Sequence, residues 1–293
     1  QDEITLLPDR LKLTLGSKFE NNEITGFEVE PSGRLLWKPS ERQSVWVSIS
    51  RAVRTPSWSD LHSTANLLVI PPVPPLSPLP VQVSSLGNPS LESETLTAYE
   101  LGYRIEPAKH LSLDLAGFYN DYDQLIAPTA VTTGFVASPL PHALIATTDE
   151  NAGPGHTYGV EASAHWDVTD CWHLTANYSW LGVQLDFNST YLQSAPEQQA
   201  QLRSELDLPY HLELNGAVSF MDQVTVPYGV GQMNIPSYVR LDLGLVWHAT
   251  KNLELGVWGQ NLAQDRHEEF TSYKTMLVTE IPSSVVGRIT LHF

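Results

Sequence analysis

The sequence predicts an all-β fold, an antiparallel up-and-down transmembrane β-barrel of about twelve strands. Apolar and polar residues alternate along most of the chain, which is the period of a strand with two different faces. Short polar turns alternate with mostly longer connections. No apolar run approaches the roughly 20 residues of a spanning helix, so a helical membrane protein is excluded. A bilayer around a closed sheet gives all the apolar faces one apolar solvent.

The clearest strands lie near the C-terminus. From Val239 to Trp247 the odd positions are apolar, while Arg240, Asp242 and His248 occupy even positions. A polar break follows, and the alternation resumes over 253–257, which predicts a hairpin. The last alternating run is 285–293.

The other predicted strands follow the same pattern in chain order. They are 11–19, 27–37, 45–50, 99–106, 111–115, 158–166, 172–180, 202–208 and 212–220. Short turns fall near 40, 108, 170, 209 and 250. Three aperiodic stretches, 54–94, 125–155 and 222–235, are predicted to be long loops. The first contains the proline-rich run 71–80, which cannot join a central ladder and is interpreted as a stiff loop segment.

Aromatic residues mark both ends of these strands. Trp37, Trp172 and Trp247 stand beside short turns, where an indole would lie at the lipid headgroup level. A second girdle is predicted toward the long connections, formed by Tyr119, Tyr122, Tyr178, Trp180 and Phe220.

Composition excludes several classes of protein. The formal net charge of −17, from 33 acidic and 16 basic residues, argues against a nucleic-acid partner, because phosphate contacts need a basic surface. Cys171 is the single cysteine, so no internal disulfide can form. The chain opens without a signal peptide, and alternation is under way by Leu11, so we expect a piece of a longer protein.

The sequence contains no motif that predicts an enzyme, a metal site or a cofactor. The densest ligand-like cluster, His267–Glu269 with nearby Asp265, is interpreted as solvated charge. Strand carboxylates share the polar parity and are spread over many strands, which predicts a wet lumen wall rather than one acid–base site. These carboxylates are Glu100, Asp114, Glu161, Glu213, Asp242 and Glu254.

Several segments carry a family resemblance. The run 87–94 (GNPSLESE), followed by 99–104 (YELGYR), resembles the N-P-x-L-x-x-E…Y-E-L-G signature of TonB-dependent outer-membrane receptors. Further similar segments are 50–57, 158–161, 259–262 and the terminal Phe293. The resemblance implies that residues 1–293 are a partial barrel domain, the C-terminal half of a barrel of about 22 strands, without its plug domain.

The same resemblance implies a function in the bacterial outer membrane. That family imports ferric siderophores, cobalamin and similar scarce small-molecule solutes. The implied partners are outer-membrane lipid, the TonB system through the missing plug, and the barrel-assembly machinery, which would recognise Phe293. Because such receptors bind solutes with extracellular loops, Trp58, His62, His142 and His156 are the predicted ligand-binding residues.

Two alternatives are compatible with the residues alone. One is a self-contained outer-membrane channel or autotransporter-type barrel, in which the first and last strands would pair. The other is a soluble β-sandwich binding protein or hydrolase, in which the apolar faces would be buried against one another.

Overall fold

The computed structural model describes residues 1–75, 77–189, 192–228, 231–269 and 278–292. Within these residues the chain forms nineteen strands, one short α-helix and one 3₁₀ turn at Pro209–His211. The helix α1 is Trp58–His62. The strands are β1 (Asp2–Leu7), β2 (Leu11–Asn22), β3 (Gly26–Ser40), β4 (Gln43–Arg54), β5 (Thr64–Ile70), β6 (Val81–Leu86), β7 (Glu94–Ala108), β8 (Leu111–Val136), β9 (His142–Thr169), β10 (Trp172–Leu185), β11 (Gln198–Leu208), β12 (Leu212–Met221), β13 (Val224–Tyr228), β14 (Gly231–Ile235), β15 (Tyr238–Thr250), β16 (Leu253–Gln260), β17 (Arg266–Glu268), β18 (Glu280–Pro282) and β19 (Ser284–Leu291).

Thirteen of these strands form one antiparallel path. Its order is β1-β2-β3-β4-β7-β8-β9-β10-β11-β12-β15-β16-β19, so neighbours in space are also neighbours along the meander. The all-β, up-and-down prediction is confirmed, and β1 is the strand that the alternation did not reveal. In the described residues β1 pairs with β2 and β19 with β16, and the two ends of the path are not joined.

The predicted tight turns are all present. Two residues separate β3 from β4, β7 from β8, β9 from β10 and β15 from β16, and three residues separate β11 from β12. These turns define the short-turn end of the sheet. The connections at the opposite end are longer, except that β2 and β3 are joined across 23–25.

The two faces of the sheet differ as the period of two requires. On β15 the side chains of Val239, Leu243, Leu245 and Trp247 are 42–46% exposed, and they define the apolar face. Arg240 and Asp242 belong to the opposite, polar face. Large exposed apolar residues also pair across other strands: Val47 of β4 lies opposite Leu101 of β7, and Leu115 of β8 lies opposite Tyr103 of β7. The apolar residues therefore point outward and do not meet a second sheet, which argues against the sandwich alternative.

The tryptophans beside the short turns lie on this apolar face. Trp37, Trp172 and Trp247 are 49%, 37% and 46% exposed. Tyr119 and Tyr178, predicted for the other girdle, are 43% and 40% exposed. An exposed indole or phenol ring tolerates the boundary between lipid and water because one part is apolar and the other polar.

The stretches predicted as long loops contain strands. The connection 54–94 holds α1 and the hairpin β5–β6, and β6 adds to β9 in parallel. The stretch 125–155 extends β8 and β9 as one long hairpin, and 222–235 forms the hairpin β13–β14. Alternation was absent because these segments either lie off the main path, as β5, β6, β13 and β14 do, or extend β8 and β9 beyond the residues that pair with β7 and β10, and neither position requires a uniform apolar face. Separately, no helix in the described ranges has the length and apolarity needed to cross a bilayer.

Candidate functional site

A cavity of about 750 Å³ lies on the polar face of the sheet and is lined by residues of β8 to β12 and β15. Ser163, Asn177, Gln201 and Ser219 lie in successive strands of this wall, and Ser163 donates to Asn177 Oδ1 over 2.8 Å. The alternation of the strands brings these hydroxyl and amide groups into one row. Such a wall can hold water or hydrogen-bond a polar solute.

Charged side chains on the polar face of β7 and β8 are held by an ion pair and a hydrogen bond. Arg104 Nε lies 2.6 Å from Asp114 Oδ1, and Ser48 Oγ donates to Glu100 Oε2 over 2.6 Å. Of the strand carboxylates, Asp114, Glu161 and Asp242 line the cavity. The strand carboxylates are thus distributed over the polar wall, as the sequence predicts.

Aromatic rings cover glycines on the same wall, a feature that sequence reasoning missed. A Cβ at Gly102 would lie 2.2 Å from Trp46 Nε1, and Arg34 stacks over the Trp46 ring at 4.6 Å. Arg288 stacks over Trp258 at the same distance, and Trp258 in turn covers Gly244. The glycines let an indole lie flat on the backbone of the neighbouring strand, which stiffens the wall.

The cluster at 265–269 serves packing. His267 is 8% exposed, stacks on Tyr238 with ring centroids 4.1 Å apart, and lies 2.9 Å from Glu269 Oε1 through Nε2. Glu269 is 3.8 Å from Arg240, which also pairs with Asp242. The interpretation of His267 as solvated charge is wrong, because β17 carries its ring onto Tyr238.

Trp58 and His62 lie together on α1 at the long-connection end. Ser57 caps this helix: its hydroxyl accepts from Asp60 N, and the Asp60 carboxylate accepts from Ser57 N. One helical turn separates the two rings, whose centroids are 5.3 Å apart. Trp58 is 70% exposed, so its ring is free to stack on a ligand.

His142 and His156 lie elsewhere. His142 begins β9 at the tip of the β8–β9 hairpin, with Nδ1 2.7 Å from the carbonyl oxygen of Leu140. His156 lies further along β9, away from the hairpin tip. Its ring stacks on Tyr119 with centroids 5.5 Å apart, and its Nδ1 lies 3.2 Å from Asp121 Oδ1. The structure thus brings together only Trp58 and His62 among the four predicted ligand-binding residues. Phe293 lies outside the described residues.

The segment 87–94 fixes the position of α1. Gly87 N donates to Ser63 O over 2.7 Å, and Asn88 N donates to Asp60 O over 2.8 Å. A Cβ at Gly87 would lie 2.6 Å from the backbone of Leu61 and His62, so only glycine permits this approach. The start of the segment therefore holds the end of the helix that carries Trp58 and His62.

The same segment also holds the base of the β8–β9 hairpin. Asn88 Nδ2 donates to Asp149 O over 3.0 Å, and Asn151 bonds both the N–H and the carbonyl of Glu92. Glu94, 9% exposed, accepts from Ile126 N over 2.6 Å and forms a bidentate pair with Arg54. The 87–94 segment thus links the connection that carries α1 to the base of the β8–β9 hairpin. In the sequence, the family resemblance was the only sign that this segment is important.

We expect Glu94→Ala to loosen the hairpin without unfolding the sheet. Ile126 is 7% exposed, so its N–H would lose its acceptor in a buried position, at a cost of about 1–3 kcal/mol. Hydrogen–deuterium exchange over 124–136 should accelerate, while exchange over β15 stays unchanged. Glu150→Ala, which removes an exposed carboxylate bonded to Thr129, is the matched control. Equal exchange in both variants would contradict the assignment.

Comparison with known proteins places the chain in a family. The model of the TonB dependent receptor-like β-barrel matches residues 1–262. A probable TonB-dependent siderophore receptor, PiuA of Acinetobacter baumannii, is 22% identical over 270 residues, covering 84% of this chain and 31% of its own. An iron-regulated outer membrane virulence protein of Vibrio cholerae is 22% identical over 182 residues, covering 59% and 25%.

Solved structures show the same fold. A variant of the ferric enterobactin receptor PfeA of Pseudomonas aeruginosa superposes with a TM-score of 0.74 at 20% identity, covering 99% of this chain and 44% of that one. The siderophore receptor PirA of Acinetobacter baumannii gives 0.73 at 16% identity, with the same coverage. The chain spans less than half the length of each of these relatives. The family match over most of the chain shows that this outer-membrane protein belongs to the TonB-dependent receptor β-barrel family.

Proposed function

We propose that the chain is the C-terminal part of a receptor barrel for TonB-dependent uptake of a scarce solute such as a ferric siderophore. The observation that carries the proposal is the amphipathic sheet itself, with an outward apolar face and a polar wall, combined with its likeness to siderophore receptors over 99% of the chain. Lipid would contact the apolar face. The polar wall would present hydrogen-bonding groups to the lumen, and its role would be passage rather than catalysis.

In this proposal residues 1–293 are a partial domain. A plug domain from the rest of the protein would occupy the lumen and couple it to the TonB system. The terminal Phe293 would be the residue that the barrel-assembly machinery recognises. The chain's own contribution is the outer binding region and about half of the wall.

The outer binding region would centre on α1. Trp58 offers an exposed ring for stacking, and His62 offers a neighbouring polar ring that the 87–94 segment holds in place. His142 and His156 are further proposed contacts from the β8–β9 hairpin. Since β6 pairs with β9, movement of this hairpin would also move the connection that carries α1.

Growth under iron limitation tests the proposal. The complete protein, expressed in a strain without its own siderophore receptors, should support growth on at least one of a panel of catecholate, hydroxamate and carboxylate ferric siderophores. Growth should require an intact TonB gene. Growth that persists without TonB, or binding of none of the panel by the purified protein, would refute it.

Within that assay, Trp58→Ala should weaken binding of the ferric siderophore about tenfold or more, because removal of an exposed aromatic anchor costs on the order of 1–2 kcal/mol. Affinity would be measured by fluorescence quenching on whole cells. Tyr210→Ala is the matched control, since Tyr210 is also highly exposed but lies at the short-turn end. Loss of affinity in both variants, or in neither, would exclude Trp58 as a contact.

A further inference from the structure

Two segments of this acidic chain carry no charge. Neither 61–91 nor 125–148 contains Asp, Glu, Lys or Arg, although the chain holds 33 acidic and 16 basic residues. The structure brings both segments together. They form β5, β6, the outer half of β8 and the start of β9, joined in the order β5-β6-β9-β8. An uncharged four-stranded sheet therefore continues beyond the barrel wall.

This sheet ends in an unpaired strand edge. The inner half of β8 pairs with β7 up to Asp123, but from 124 to 136 β8 pairs with β9 alone in the described ranges. Glu94 accepts the backbone N–H of Ile126, so the edge is closed at its base. Beyond the bulge after Pro128 the edge is free, over 130–136.

The free edge lacks the usual protection. Exposed edge strands are normally blunted by charged side chains, prolines or bulges, because their unpaired backbone groups recruit another strand. Residues 130–136 contain no charged residue and no proline. Val131 and Phe135, which share one face, are 62% and 64% exposed.

We propose that the β8 edge over 130–136 binds an extended, uncharged segment of a partner protein, which adds to the sheet as a further strand. Backbone hydrogen bonds along the edge would supply affinity, and Val131 and Phe135 would select apolar residues at alternate positions. An uncharged surface favours an uncharged partner, because a charged group docked there would lose water without gaining an ion pair. A second copy of this chain brings another net charge of −17, and its repulsion opposes self-pairing.

Peptide binding to the complete receptor in lipid nanodiscs tests the proposal. The probe is a fluorescein-labelled synthetic peptide of alternating valine and threonine, and its binding should slow hydrogen exchange over 130–136. The double variant Val131→Lys/Phe135→Lys should bind it at least about tenfold more weakly. Val69→Lys is the matched control, because Val69 is 60% exposed on β5, the opposite edge of the same sheet, and it should bind normally.

Three outcomes would overturn the proposal. The peptide could bind the double variant and the control equally, or it could fail to bind. Exchange over 130–136 could already be slow in the free receptor, which would mean that another part of the protein covers the edge. Light scattering that shows a dimer lost in the double variant would assign the edge to a second copy instead.

Discussion

Gly159→Ala is expected to prevent correct assembly of the barrel. A Cβ at this position would lie 2.3 Å from the carbonyl oxygen of Trp180 and 2.7 Å from the ring of Phe118. The carbonyl belongs to the backbone of β10, which is in register with β9 over fourteen residue pairs and cannot move alone. Overpacking in a fixed site costs about 1–3 kcal/mol, and here the contact is with backbone, so we expect the upper end of that range or more.

The measurement is the folded fraction of the complete protein in outer membranes, read from heat-modifiable migration on SDS gels. Gly117→Ala is the matched control on the adjacent strand β8, because its nearest neighbour would be a carbonyl oxygen at 3.7 Å, an ordinary contact. Gly117→Ala should assemble as the wild type does. Normal assembly of Gly159→Ala would show that the register of β9 and β10 is looser than described.

Leu101→Arg is expected to destabilise the inserted barrel strongly. Leu101 lies midway along β7 on the apolar face and is 57% exposed, so the guanidinium would enter the hydrocarbon layer. Arginine near the bilayer midplane costs about 2–4 kcal/mol in such barrels. Urea titration of the complete protein in lipid vesicles should show a lower unfolding free energy by that amount.

Ser163→Arg is the control for charge and size. Ser163 lines the 750 Å³ cavity on the polar face, opposite Asp114 on β8, so an arginine there meets water and a carboxylate. We expect its unfolding free energy to remain within about 0.5 kcal/mol of the wild type. If Ser163→Arg is the more harmful substitution, the assignment of the two faces is reversed.

The two faces were predictable because a strand has a period of two. The parity of Val239 to Trp247 is enough to separate lipid-facing from lumen-facing side chains, whichever strands lie beside it. The tight turns were predictable for a similarly local reason, since short groups such as Pro107-Ala108-Lys109 interrupt two alternating runs. The predicted number of strands, about twelve, was close to the thirteen on the main path for the same reason. Strand β1 was missed because its alternating run is short.

Most of the candidate site was not predictable in this way. Trp58 and His62 were named as separate candidates, and only the helix brings their rings together. Glu94 was identified only as part of a family signature, and one of the groups that it binds is a backbone N–H 32 residues later, at Ile126. Almost every residue has the same backbone N–H group, so the amino-acid sequence does not identify which N–H donates such a hydrogen bond.

The class of fold, the direction of each face and the positions of the tight turns could be predicted from the sequence, because these features depend on neighbours within a few residues. The arrangement of the outer connections could be learned only from the three-dimensional structure: β6 lies beside β9, the 87–94 segment lies between α1 and the hairpin, and the outer part of β8 has an unpaired edge. These features depend on backbone hydrogen bonds between distant segments outside the bilayer, where water surrounds both faces and no alternation is imposed.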